Sequence, residues 1–126
     1  MANEGQKAAR LDSVTIDCHD PERLASFWAS IFGAVEQWRG GDPVQYVDLG
    51  ETEGSPVLRF QRVPERKTVK NRIHLDLHVD DIEEACGQII ALGGARVAQN
   101  DLNEYDVAFR VMLDPESNEF CLISEG

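Results

Sequence analysis

The stretch that decides the fold runs from His74 to Ala95, HLDLHVDDIEEACGQIIALGGA. Its first half alternates. Ile73, Leu75, Leu77 and Val79 fall on one side of an extended chain, and His74, Asp76 and His78 on the other, as the period of two in a strand requires. Asp81 then suits a helix N-cap, with Glu84 three residues on at capping-box spacing. Ile82, Ala85, Cys86 and Ile89 follow at helical intervals on one face. Gly93 or Gly94 supplies the left-handed position that ends a helix.

The same pattern occurs 61 residues earlier, without a gap, in SVTIDCHDPERLASFWASIFGA, Ser13 to Ala34. Val14 matches Leu75, Ile16 matches Leu77, Cys18 matches Val79 and Asp20 matches Asp81. Pro21 after Asp20 is tolerated in a first helical turn. Leu24, Phe27, Trp28 and Ile31 share a helix face, and Gly33 closes the unit. By the same offset Ser13, Thr15 and Asp17 stand where His74, Asp76 and His78 stand in the second copy.

More strand signals follow each helix: AVEQW, VQYVDL and PVLRFQRV in the first half, ARVAQ, VAFRVML and NEFCLIS in the second. The turn-formers RGGDP, GETEGSP, NDLNE and DPESN separate them. Each half therefore reads strand, helix, strand, strand, strand. One such unit leaves a sheet face unburied, and pairing two units solves that. The fold class is α+β, two tandem βαβββ modules forming a curved mixed sheet around a cavity. Residues 1–10 read as a loose polar tail and 11–126 as the domain. Module one spans 11–63, a linker 64–71, and module two 72–124. The linker region is basic: Arg62, Arg66, Lys67, Lys70 and Arg72 are five of the chain's twelve Lys and Arg.

Composition bounds the partners. The chain of 126 residues is 42% hydrophobic and 28% charged, with formal net charge −11. Such a charge argues against nucleic acid and anionic membranes as partners. No apolar run is long enough to span a bilayer. Cys18, Cys86 and Cys121 lack metal-type spacing and cannot all pair, which suits free thiols and a cytoplasmic setting.

Two βαβββ modules in a chain of this length resemble the vicinal oxygen chelate superfamily of glyoxalases, bleomycin resistance proteins and dioxygenases. The nearest likeness is to its small bacterial glyoxalase-like proteins. The carrying motifs are DCHDPERLASFW (Asp17–Trp28), KNRIHLDLHVDD (Lys70–Asp81) and DPESNEFCLI (Asp114–Ile123). The resemblance implies a sheet curled around a cup, with the helix outside and polar residues within. It implies a homodimer and a small-molecule ligand. It puts His74, Asp76 and His78 in the cup beside Ser13, Thr15 and Asp17.

In metal-dependent members the ligands come from the first and last strands of each module. Those positions here are Ser13, His74, Cys121, and either Arg59 or Gln61. Serine is a poor ligand and arginine a permanent cation. On ligand count a resident divalent metal at His74 is disfavoured, and no other cofactor is called for. Without a metal, His74, Asp76 and Asp17 are the candidate catalytic acid–base groups. Ser13, Thr15, Arg59, Gln61, His78 and Cys121 are candidate substrate contacts, with Arg59 and His74 facing a developing oxyanion. The implied activity is that of a lyase or isomerase on a small oxygenated molecule. The alternative is a non-catalytic binder of the bleomycin-binding type. Competing structural readings also stand: His74 as a hydrogen-bonded interior histidine, Cys121 as a small core residue.

Overall fold

The computed structural model describes residues 8–50, 56–97, 102–104 and 107–125. Module one contains β1 (Ser13–Cys18), α1 (Pro21–Phe32), β2 (Val35–Gly40), β3 (Tyr46–Gly50) and β4 (Val57–Arg62). Module two contains β5 (Leu75–His78), α2 (Ile82–Ala91), β6 (Ala95–Arg96), β7 (Leu102–Glu104), β8 (Val107–Leu113) and β9 (Glu119–Glu125). The architecture is α+β, with a mixed sheet in each module. The first sheet runs β1-β4-β3-β2, and the second β5-β9-β8-β6 with β7 beside β8. In both, the strand before the helix pairs in parallel with the last strand of its module, and the other pairings are antiparallel.

Both helices begin where an aspartate caps them. Asp20 accepts from the Arg23 amide at 3.1 Å and Asp81 from the Glu84 amide at 3.0 Å, satisfying donors that a helix start leaves orphaned. Gly33 ends α1 with φ 68°, a left-handed conformation that costs glycine no Cβ clash. After α2 the positive φ falls at Gly93.

The helices cover one face of each sheet. Leu24, Phe27 and Trp28 pack with Val47, Leu49 and Phe60 in a core that continues into Leu77, Cys86, Ile89, Met112, Phe120 and Leu122 of module two. Trp28 is the joint. Its ring meets Phe120 at 4.8 Å between centroids, and its indole N–H donates to Asp114 Oδ2 at 3.2 Å. Asp114 Oδ1 accepts from the amides of Glu116 and Asn118. Burial pushes the Asp114 carboxyl above its ordinary range, against hydrogen bonds that pull it down. From the same turn, Glu116 accepts from the amides of His19 and Asp20 at 2.6 and 2.8 Å. The β8–β9 turn thus grips the start of α1.

Three expectations need correction. Ile73 does not join the helix-facing row. It precedes β5 and is 80% exposed, while Leu75, Leu77 and Val79 take up the packing. The NDLNE stretch is not all turn, because Leu102–Glu104 pairs with β8 as a strand. Of ARVAQ, Ala95–Arg96 is strand and Val97 is not, and residues 98–99 lie outside the described residues. Most of GETEGSP and of the tail lies outside the described residues.

Candidate functional site

Strand alternation sorts the candidate residues onto the two sheet faces opposite the helices. On the first sheet these are Ser13, Thr15 and Asp17 from β1 with Arg59 and Gln61 from β4. Thr15 pairs with Arg59 and Asp17 with Gln61. On the second, Asp76 pairs with Cys121 and His78 with Ile123. Thr15 is the counterpart of Asp76, so register makes Arg59, not Gln61, the counterpart of Cys121.

Arg59 is not free to meet an oxyanion. Its Nε and Nη2 donate to the two oxygens of Asp48 at 2.8 and 2.9 Å. Those bonds and the Asp48 charge hold the guanidinium above its ordinary pKa. Sequence reasoning missed this partner because Asp48 lies on β3, across a register no motif announces. Trp38 and Tyr46 stand on the same face, ring centroids 6.2 Å apart.

On the second sheet three candidates converge. His74 Nε2 lies 3.4 Å from Asp76 Oδ1. A ligand atom of Cys121 joins them, all three within 4.8 Å of one another. Cys121 is 9% exposed, at the margin of burial, yet stands apart from the core cluster. Burial pushes its thiol pKa up, and the charge of Asp76 and a hydrogen bond to it push further the same way. Cys18 is different: burial takes its thiol to about 12, an inert core group.

A cleft of about 1030 Å³ lies between β1, the 63–75 segment and the β8–β9 turn. Thr15, Asp17 and His74 line it. Ser13, Arg59, Gln61, Asp76, His78 and Cys121 do not. Asp76 still reaches the cleft through His74. The cleft also draws on residues that the sequence offered only as linker and turn, including Lys67, Asn71, Arg72 and Glu116. Their one signal was the concentration of basic residues. The linker is tied down: His19 Nε2 lies 2.9 Å from the Glu65 carbonyl, and Lys67 and the Asn71 amide donate to Glu119. Those bonds hold the Glu119 carboxylate below its ordinary pKa although burial opposes them.

A family model described as a glyoxalase-like domain matches residues 13–123. The chain belongs to the glyoxalase-like domain family. Solved structures with this fold include a glyoxalase/bleomycin resistance protein/dioxygenase family enzyme from Burkholderia phytofirmans PsJN. It is 23% identical, with TM-score 0.72 over 94% of this chain and 100% of that one. The fosfomycin resistance protein FosX from Listeria monocytogenes is 14% identical, TM-score 0.72, over 95% and 96%. A glyoxalase-related enzyme from Fulvimarina pelagi is 16% identical, TM-score 0.68, over 91% and 87%. Among curated proteins none is significantly similar to the chain. At these identities the structures establish the fold, which hosts many functions, and the chemistry must be argued from the site.

The shared-metal arrangement of the superfamily does not fit this glyoxalase-like chain. A centre bridging both modules would take Ser13 and Arg59 from the first. Arg59 brings a positive charge already committed to Asp48, and Ser13 a hydroxyl that binds metals weakly. Among the described residues, the donor set that stands together is His74, Asp76 and Cys121 of the second module.

Proposed function

We propose that the protein binds a small, oxygen-bearing polar molecule in the inter-module cleft and moves a proton on it, as a lyase or isomerase does. The carrying observation is that His74 borders the cleft while its Nε2 lies 3.4 Å from the Asp76 carboxylate. An imidazole so placed takes a proton from a carbon beside a carbonyl, and the carboxylate steadies the imidazolium that forms. The electron pair left behind moves onto the carbonyl oxygen. Arg72, two residues before His74 and also lining the cleft, supplies positive charge for that oxygen. Returning the proton to the neighbouring atom completes an isomerisation. Asp17 and Thr15 face the same space from module one and orient the substrate's polar groups.

The test is proton exchange. Small α-hydroxy and α-keto carbonyl compounds are incubated with tag-free protein in D₂O and followed by proton NMR. Loss of an α-proton signal with the wild type, and not with His74→Ala, is the expected result. Thermal-shift binding with no exchange for any bound compound would instead favour the sequestering alternative. One observation supports that alternative. Trp38 is 51% exposed beside Tyr46, a platform on which a planar cation would stack in a chain of net charge −11.

We place the protein in the cytoplasm as a homodimer. Three free, buried cysteines suit a reducing compartment, and no described helix is long and apolar enough to cross a membrane. Among the described residues β1 and β5 each pair on one side, and strand edges of this kind are commonly covered by association. Sedimentation should give about twice the 14.1 kDa chain mass at micromolar concentration, and a monomer there would remove the dimer.

A further inference from the structure

We infer that the cleft takes an acid: Arg23 and Arg66, gathered around His19, receive a carboxylate or phosphate group that the ligand carries apart from its reacting carbonyl. Charge distribution comes first. The chain has 23 acidic side chains against 12 basic ones, yet Arg23, Arg66, Lys67 and Arg72 all line this one cleft. Two elements bring the first pair together. Arg23 stands in the opening turn of α1, where its amide donates to the Asp20 cap. Arg66 stands in the linker, which is fastened beside that same cap. The Val63 amide donates to the Cys18 carbonyl at 2.8 Å, and His19 Nε2 lies 2.9 Å from the Glu65 carbonyl. On the other side of Arg66, Lys67 Nζ donates to Glu119 at 3.1 Å. Arg66 is therefore flanked by two anchored residues, and its backbone need not be ordered when a ligand arrives.

The carboxylates of the cleft are mostly engaged within the protein. Asp114 accepts from Trp28 and Asn118, Glu116 from the amides of His19 and Asp20, and Glu119 from Lys67 and the Asn71 amide. Among the described residues no carboxylate pairs with Arg23, Arg66 or Arg72. Those three guanidiniums face two cleft carboxylates left without a bond, Asp17 and Glu65. A guanidinium matches the two oxygens of a carboxylate or phosphate with parallel N–H donors, and a concave wall focuses its field. This assignment rests on the proposed proton-transfer reading where it gives Arg72 to the reacting oxygen. Binding of the acid group at Arg23 and Arg66 does not depend on it, and is the opposite of a cationic ligand stacked on Trp38.

The test titrates the full-length, tag-free chain calorimetrically with two matched pairs: dihydroxyacetone phosphate against dihydroxyacetone, and 4-oxopentanoate against 4-oxopentanamide. At low ionic strength a charged member should bind at least about tenfold tighter than its neutral partner, and the advantage should shrink as salt is added. An advantage in one pair alone identifies the group as phosphate or as carboxylate. Arg23→Gln and Arg66→Gln should each weaken the charged member about tenfold, with the neutral member and the urea midpoint unchanged. Lys70→Gln removes the same charge from the same basic stretch but does not line the cleft, and should leave binding intact. The acid site is overturned if neither charged member outbinds its partner, if Arg66→Gln binds it as the wild type does, or if Lys70→Gln costs as much as Arg66→Gln. The same compounds followed in D₂O separate the two readings. Arginine-dependent binding without exchange counts against proton transfer and leaves the acid site standing. Exchange at equal rates and affinities on charged and neutral members removes the acid site and leaves proton transfer standing.

Discussion

Trp28→Ala is expected to destabilise the protein by about 3–5 kcal/mol, a large share of the roughly 5–15 kcal/mol that holds a domain together. The indole is 1% exposed and joins both halves of the molecule. It packs edge-on against Phe27 at 5.4 Å and Phe120 at 4.8 Å and stacks with Phe32 at 5.7 Å. Truncation leaves a cavity between α1 and β9 and takes from Asp114 Oδ2 one of its two donors, the other being Asn118 Nδ2. Trp28→Phe separates the two losses. It keeps much of the ring packing and gives up the N–H bond to a carboxylate, at a cost of about 1.5–3 kcal/mol. Urea melts of the two variants measure the difference. Equal midpoints for wild type and Trp28→Ala would mean that the modules are held together elsewhere.

Leu77→Ala and His74→Ala should fail in opposite ways, although the residues are three apart. Leu77 is buried against Leu122 and α2, and its truncation should cost about 2–5 kcal/mol. His74 stands on the open side with a side chain 39% exposed, and its loss should stay within about 1 kcal/mol. Turnover should respond the other way. Loss of a positioned general base lowers the rate by about 10²–10⁴-fold, while folded Leu77→Ala protein keeps its couple. Denaturant midpoints and rates on folded material together decide. A His74→Ala protein that melts as early as Leu77→Ala would make His74 a brace for the fold and not a working group.

The duplication carried most of the architecture because its signals are local. An aspartate, an apolar stripe and a glycine can be read without knowing what they pack against, and α1 and α2 begin and end where these stand. The site was only half legible. His74 and Asp76 lie two residues apart at the start of β5, one just ahead of the strand and one within it, so their pairing follows from alternation. The closeness of Asp76 to Cys121 depends on which residue of β9 faces which residue of β5, and a shift by one would send the thiol to the other face. The same dependence hid Asp48 beside Arg59 and left Arg59 and Gln61 as equals. Ile73 read as core because the alternation runs two residues ahead of the place where the strand starts. The cleft was the least visible feature, since its walls come from β1, the basic linker and the β8–β9 turn, which only tertiary packing assembles.

The parallel pairing of β5 with β9 also sets a timetable. Asp76 and Cys121 are cross-strand partners that lie about 45 residues apart in the chain, so at ribosomal rates of roughly 5–20 residues per second the first waits seconds for the second. Docking of β9 on β5 closes that long loop, with α2 and β8 lying inside it. Until then His74 and Asp76 face water with nothing opposite them. The nascent chain therefore cannot use this face until β9 has left the ribosome.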